Sequence, residues 1–319
     1  MKNCECPTPR SSTGKAGRAI TRRAAALIAG LALLVTLASG CSLVGPKTTT
    51  ISDDAGRQVQ IKGQPKRIVS MAPSNAEILF ALGLGDRVVG VSNYDDYPPE
   101  ATTKEKVGDA LNPNYEKIAA LKPDLVLAVG TAQSEIVKKL EGYNINVIVL
   151  NAQKVRDALN DIALVGRVTG TSTKATEITA AMSKKLDEVQ AKVAGVPADK
   201  RPTVFWALDA SLYTVGPGSF IDDLITLAGG KNIAADTKQA YPQFSQEALI
   251  ARNPDVIIIP LIDPTLANQL KTMKGWDKLK AVKEGRVYTI DPNIVSRPGP
   301  RIATGVETVA KLLHPELFK

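Results

Sequence analysis

The chain has 319 residues, of which 44% are hydrophobic and 23% charged. That is room for two medium domains and a globular balance, which excludes a disordered or collagen-like chain. Aromatic residues are only 4%, and the +8 formal charge is uneven: Lys2, Arg10, Lys15, Arg18, Arg22 and Arg23 against Glu5 put +5 on residues 1–40 and leave +3 on residues 41–319. A general nucleic-acid reader, which needs a basic face and stacking aromatics, is therefore excluded.

In chain order, residues 1–23 are polar and basic, and residues 24–37 form an apolar run of 14. That is too short to span a bilayer and suits the apolar part of a signal peptide. It ends in Leu37-Ala38-Ser39-Gly40-Cys41, which resembles the lipobox of bacterial lipoproteins. The resemblance implies cleavage before Cys41 and acylation of that residue. Cys4 and Cys6 fall in the leader, so the mature chain has no second thiol for a disulfide or a metal site. Arg22-Arg23 alone is a weak hint of twin-arginine export. Residues 42–50, with Pro46 and Thr48–Thr50, read as a tether, and no second long apolar stretch follows. The expectation is a body held at the membrane by lipid.

The body carries an internal echo. Glu116 to Leu127 aligns without gaps on Glu247 to Ile258. Each copy reads as a short helix, a stopping proline (Pro123, Pro254), an aspartate (Asp124, Asp255) and an apolar strand. Leu125–Val129 and Val256–Ile259 are unbroken apolar runs, as in parallel strands covered on both faces. Upstream, the strand 67–71 precedes Ser74-Asn-Ala-Glu77, and the strand 203–208 precedes Ser219-Phe-Ile-Asp222. Both read as helix starts of the capping-box type, with glycines (Gly83 and Gly85, Gly229 and Gly230) ending the helices. Downstream, 147–150 and 287–290 are further strands. Between the copies, Ile178, Met182, Leu186 and Val189 recur at helical spacing. The fold class is α/β: two Rossmann-like lobes joined by one long bracing helix, with a ligand cleft between them. The domains are 1–40 leader, 41–66 tether and N-terminal strand pair, 67–170 N-terminal lobe, 171–195 linking helix and 196–319 C-terminal lobe. One continuous sheet is the alternative.

The inventory of reactive groups is thin. His314 is the only histidine and is expected at the surface, near the end. Without a second histidine or a mature thiol pair, Ser–His, Cys–His and Cys/His zinc chemistry are unsupported. No phosphate-loop or dinucleotide fingerprint occurs. A carboxylate-dependent secreted hydrolase would need convergent acids, for which Asp95, Asp96 and Asp209 are candidates. The expectation is no catalytic residue, no metal and no resident cofactor. Binding remains, at loops beyond the carboxyl ends of the strands. Tyr94, Tyr213 and Tyr241 fall in such loops and suit a large, partly apolar ligand, although each could equally be packing its own loop.

The segments Pro65–Val91, Asn93-Tyr-Asp-Asp-Tyr-Pro-Pro99 and Asn112–Asp124 resemble the helical-backbone substrate-binding proteins of ABC importers for cobalamin, ferric siderophores and haem. The likeness runs from about residue 52 to 319. It is nearest to the cobalamin-binding branch, through Asn93–Pro99 and Tyr241-Pro-Gln-Phe-Ser-Gln-Glu247. The resemblance implies a monomeric receptor on the outer face of the cell membrane, with a permease dimer and its ATPase subunits as partners and no nucleic acid. Its ligand would be cobalamin or a related corrinoid, or alternatively an iron chelate. Glu116 and Glu247 would dock the permease. Tyr94, Tyr213, Tyr241, Asn293 and Arg297 would line the ligand pocket, with Arg297 facing either an anionic ligand group or a carboxylate of its own lobe. The sequence departs from cobalamin binders in lacking several cleft aromatics: Ala110 and Val129 stand where larger rings can occur, and Asn293 stands at an aspartate position. Neither Trp206 nor Trp276 obviously replaces them.

Overall fold

The structure is a computed structural model and describes residues 48–130, 134–261 and 265–319. The leader and Cys41 lie outside the described residues. No helix among the described residues is long and apolar enough to cross a membrane.

The body opens with an antiparallel hairpin, β1 (Thr48–Ser52) and β2 (Gln58–Lys62). The tether expected over 42–50 is thus too long by three residues, because Thr48–Thr50 belong to β1. β-branched threonines favour extended backbone, and strand pairing supplies their hydrogen-bond partners. Asp53 fastens the hairpin. Its buried carboxylate accepts from the backbone N–H of Arg57 at 2.9 Å and of Val149 at 3.1 Å, and from the Arg57 guanidinium at 2.6 Å.

Two separate parallel sheets follow, not one. The N-terminal sheet holds β3 (Ile68–Ser70), β4 (Val88–Val91), β5 (Glu105–Lys106), β6 (Leu125–Val129) and β7 (Asn146–Leu150), in the order β5-β4-β3-β6-β7. The C-terminal sheet holds β8 (Thr203–Trp206), β9 (Lys231–Asn232), β10 (Val256–Pro260) and β11 (Val287–Ile290), in the order β11-β10-β8-β9. Without β5, each lobe has one plan: its first strand lies between its second and its third, and the fourth lies outside the third. The echoed aspartates explain why they recur. Asp124, just before β6, accepts from the N–H of Lys66 at 2.7 Å and Arg67 at 3.0 Å, which lead into β3. Asp255, just before β10, accepts from the N–H of Thr203 at 2.8 Å. Each ties the start of the third strand to the start of the first and so fixes register.

The N-terminal lobe carries α1 (Pro73–Ala81), α2 (Tyr115–Ala120), α3 (Ser134–Glu141) and α4 (Asp157–Thr169). The brace is α5 (Ser172–Val193), about 33 Å long by its 22 residues. The C-terminal lobe adds α6 (Phe220–Leu227), α7 (Gln246–Arg252), α8 (Thr265–Lys271), α9 (Lys280–Lys283), α10 (Pro292–Val295) and α11 (Ile302–Leu313). Gly170 takes a left-handed conformation (φ 76°) between α4 and α5, where a side chain would be strained. Helix α5 packs on α4 and on α11, burying Met182, Leu186 and Val189. Its polar side reaches both lobes through Asp187–Arg156 at 2.6 Å and Lys185–Glu307 at 2.7 Å. One contiguous apolar core runs from Ile68, Ile78 and Leu125 through these α5 residues to Trp206, Leu224 and Val306.

Two local expectations are corrected. Ser74 and Glu77 do not form a capping box: Ala72 is the N-cap of α1 and Pro73 its first residue. Proline supplies a helix-ready φ and lacks an N–H that would need capping, which frees Glu77 for other contacts. In the second copy Ser219 does cap α6, accepting from the Asp222 N–H at 3.2 Å. His314 is buried, not at the surface. It ends α11 inside the C-terminal lobe, with Nε2 3.1 Å from the Gly229 carbonyl.

Candidate functional site

Sequence places the ligand loops at the carboxyl ends of the strands, and contacts between the lobes show that these ends face each other. Helix α1 starts just after β3. Its Glu77 is buried, with a side chain only 2% exposed, and points at the C-terminal lobe. Arg301 clasps it with two bonds, Nε to Oε2 at 2.9 Å and Nη2 to Oε1 at 2.6 Å. Arg297 adds Nη1 to Glu77 Oε1 at 3.1 Å and to Asp96 Oδ1 at 2.6 Å. The Arg301 guanidinium also lies 3.9 Å over the Tyr97 ring, a cation–π contact. On another side, the Val155 N–H donates to Asp223 Oδ2 at 2.8 Å, joining the segment after β7 to α6.

The loop after β4 is built around Asp95. Ser92 Oγ donates to Asp95 Oδ1, and the Lys106 ammonium donates to the carbonyls of Ser92 at 3.1 Å and Asp95 at 2.9 Å. Burial pushes the Asp95 carboxyl up to about 6, against the lowering effect of Ser92 and Lys106. Asp96 is held below the usual carboxylate range by the hydrogen bond from Arg297. Between β4 and these acids, Tyr94 stands 67% exposed.

In the C-terminal lobe, residues 212–216 run antiparallel to residues 240–244. Thr214 N–H donates to the Pro242 carbonyl at 2.9 Å, Gly216 N–H to Ala240 at 2.8 Å and Phe244 N–H to Leu212 at 3.1 Å. This ladder brings Tyr213 and Tyr241 onto one piece of structure, 41% and 58% exposed. Asp209 sets the turn before it, its carboxylate accepting from the N–H of Ser211 and Tyr213. Asn293 is half-buried in α10, its backbone N–H held by Asp291 at 2.9 Å. Trp206 and Trp276 are both buried in the C-terminal lobe. A surface pocket of about 650 Å³ opens beside the Glu77 cluster, between Phe80, Tyr97, Pro98, Glu100 and Arg301, but Tyr94, Tyr213 and Tyr241 do not line it.

The paired glutamates sit where the echo puts them. Asn114 caps α2, accepting from Lys117 N–H at 2.9 Å, and Ser245 caps α7, accepting from Ala248 N–H at 3.1 Å. Glu116 and Glu247 are therefore each the second residue of a short helix, and both are exposed. The Glu247 carboxyl is held below its usual range by its own backbone N–H and by Ser245.

The family model for periplasmic binding proteins matches residues 68–294, well over half of the chain. The chain belongs to the periplasmic binding protein family. This periplasmic binding protein is 37% identical, over 93% of its length and 99% of the relative's, to an uncharacterised ABC transporter substrate-binding lipoprotein of Bacillus subtilis. It is 31% identical to a cobalamin-binding protein of Halobacterium salinarum, over 89% of its length and 83% of the relative's. Among solved structures it resembles a possible iron-binding periplasmic solute-binding protein of Staphylococcus epidermidis, with a TM-score of 0.68 and 31% identity. That likeness covers 79% of this chain and 99% of the other.

For a binding protein, the chemistry of the site is recognition. Each acid of the hydrolase alternative has a partner of its own: Asp95 is bound by Ser92, Asp96 by Arg297, and Asp209 by its own loop. Glu77 and Arg301 are the site-forming residues that sequence reasoning missed. The available signal was an ionisable residue, Glu77, inside an otherwise uncharged helix, Pro73–Ala81.

Proposed function

We propose that this periplasmic binding protein is a lipid-anchored, extracytoplasmic receptor of an ABC importer that captures cobalamin or a related corrinoid. It works as a monomer without a resident cofactor and delivers its ligand to a permease dimer with ATPase subunits. The observation that carries the reading is the set of exposed tyrosines at strand ends of both lobes, Tyr94 on one and Tyr213 with Tyr241 on the other. Exposed rings offer broad apolar faces with one hydroxyl each, the surface that a corrin ring with amide side chains would meet. The cobalamin-binding relative supports the ligand class, and the Bacillus lipoprotein supports the anchor at Cys41. Glu116 and Glu247, equivalent on the two lobes and exposed, suit a pair of basic groups on a permease.

A second reading, a receptor for a ferric siderophore or haem, is favoured by the likeness to the possible iron-binding protein and by the phenol oxygens of the same tyrosines, which can ligate iron. Titration of the full chain in detergent with cyanocobalamin, haemin and a ferric siderophore separates the two. Cobalamin binding tighter than about 10 µM supports the first. Tight binding of an iron chelate without cobalamin binding replaces it with the second.

A further inference from the structure

We propose that Arg297 is a positioning residue for the ligand loop. Together with Arg301 it clamps the segment 296–301 of the C-terminal lobe onto Glu77 and Asp96 of the N-terminal lobe, and so places the loop 92–98 that presents Tyr94. This rests on the reading of Tyr94 as a ligand contact, and it assigns Arg297 a role other than pairing with an anionic ligand.

The geometry carries the argument. One Arg297 nitrogen, Nη1, serves two acids on two different elements: Glu77 on α1 and Asp96 on the loop. The two arginines and two carboxylates balance, so the guanidinium charge is already matched within the protein. An anionic ligand group that reached Nη1 would compete with Asp96 and Glu77 for it. The clamp has little slack. Pro298 and Pro300 each fix a φ angle, Gly299 is buried between them, and its N–H donates to the Arg297 carbonyl at 2.8 Å. On the other side, Asp96 is two residues from Tyr94 and next to Tyr97, on which Arg301 stacks. The Tyr94 ring is itself mostly in solvent, so its position is set by how its backbone is held. Asn93 N–H to Gly108 at 2.7 Å and Lys106 to the Ser92 and Asp95 carbonyls hold the loop to its own lobe. The Asp96–Arg297 bond ties it to the opposite one.

The test is hydrogen exchange by mass spectrometry on the full chain in detergent, without ligand. Asp96→Asn changes an exposed side chain and leaves Glu77 paired with both arginines, so it should fold. Amides 93–97 should exchange about three- to ten-fold faster, the range of a partly exposed charge-assisted hydrogen bond. Asp96→Glu, which keeps the carboxylate, should stay near wild type. Arg297→Gln should reproduce the Asp96→Asn effect, and the double variant should add little beyond Arg297→Gln alone. Strands 125–129 and 256–260 should not change. Unaltered exchange at 93–97 in both single variants overturns the proposal, and so does faster exchange across the strands, which would mark general destabilisation. Affinity for cyanocobalamin and haemin is then measured on the same samples. A local rise in exchange with a parallel loss of affinity supports both the positioning role and the ligand reading. A local rise in a protein whose wild type binds neither probe supports the positioning role and overturns the ligand reading alone.

Discussion

Replacing Asp161 by Asn should flatten the pH dependence of folding. Asp161 lies buried on α4 beside Asp54 and Asp157. Burial first, then the hydrogen bond and charge of Asp54, and then the charge of Asp157 push its carboxyl up from 3.8 to about 9. Its neighbours are fixed as acceptors: Asp54 takes the Asn151 N–H at 2.7 Å, and Asp157 takes the N–H of Gln153 and Lys154. In the folded chain Asp161 therefore keeps its proton up to about pH 9, while the unfolded chain loses it near pH 4. The folded state binds the extra proton across that window, so stability falls as pH rises. The contribution is complete below about pH 4 and gone once pH passes about 9. At about 1.4 kcal/mol per pH unit, the three units from pH 5 to pH 8 correspond to at most about 4 kcal/mol. The amide introduced by Asp161→Asn would be neutral throughout and would still donate to Asp54. Urea denaturation of both proteins at pH 5, 6.5 and 8, followed by circular dichroism, isolates the effect as the difference between them. The variant should gain on the wild type by about 2–4 kcal/mol between pH 5 and pH 8. Stability curves that stay parallel across that range would refute the assignment of a proton to Asp161.

Truncating Tyr94 or Tyr241 to Ala should each weaken ligand binding about ten-fold or more without lowering the melting temperature, since both rings are exposed in the free protein; calorimetry with the ligand found by titration reads it. The double variant Glu116→Ala, Glu247→Ala should fold and bind ligand as the wild type does yet fail to support uptake in cells, because both side chains are exposed at helix starts and a rim charge mainly steers docking. Normal uptake would reduce the two residues to helix-start acids. Cys41→Ser should shift the protein from the membrane fraction to the soluble fraction or the medium, with no incorporation of labelled fatty acid.

The architecture was legible where its signal was local. The Pro-Asp echo announced two lobes because Asp124 and Asp255 each perform one job, fastening the third strand to the first, and that job needs the same residues at the same spacing. Asn114 and Ser245 were readable as caps because a cap contacts residues three positions away. The site was less legible because its partners are distant in sequence. Glu77 three residues after Ser74 has the spacing of a capping box, but its guanidinium partners lie 220 and 224 residues further on, and no window on the sequence contains both. Arg297 was read as facing either a ligand or a carboxylate of its own lobe, whereas its carboxylates belong to the opposite lobe. His314 misled for the same reason, since its partner, Gly229, is 85 residues upstream. The tyrosines were identifiable from their place after strands, but that Tyr213 and Tyr241 share one ladder needed the backbone pairing of 212–216 with 240–244.

The contiguous core that passes through α5 has a consequence for timing. Swinging one lobe outward would draw Met182, Leu186 and their neighbours into water, at about 25 cal/mol for each square ångström uncovered. The relation of the two lobes is therefore set at folding, and a later swing of one against the other is opposed by the same contacts that hold them together.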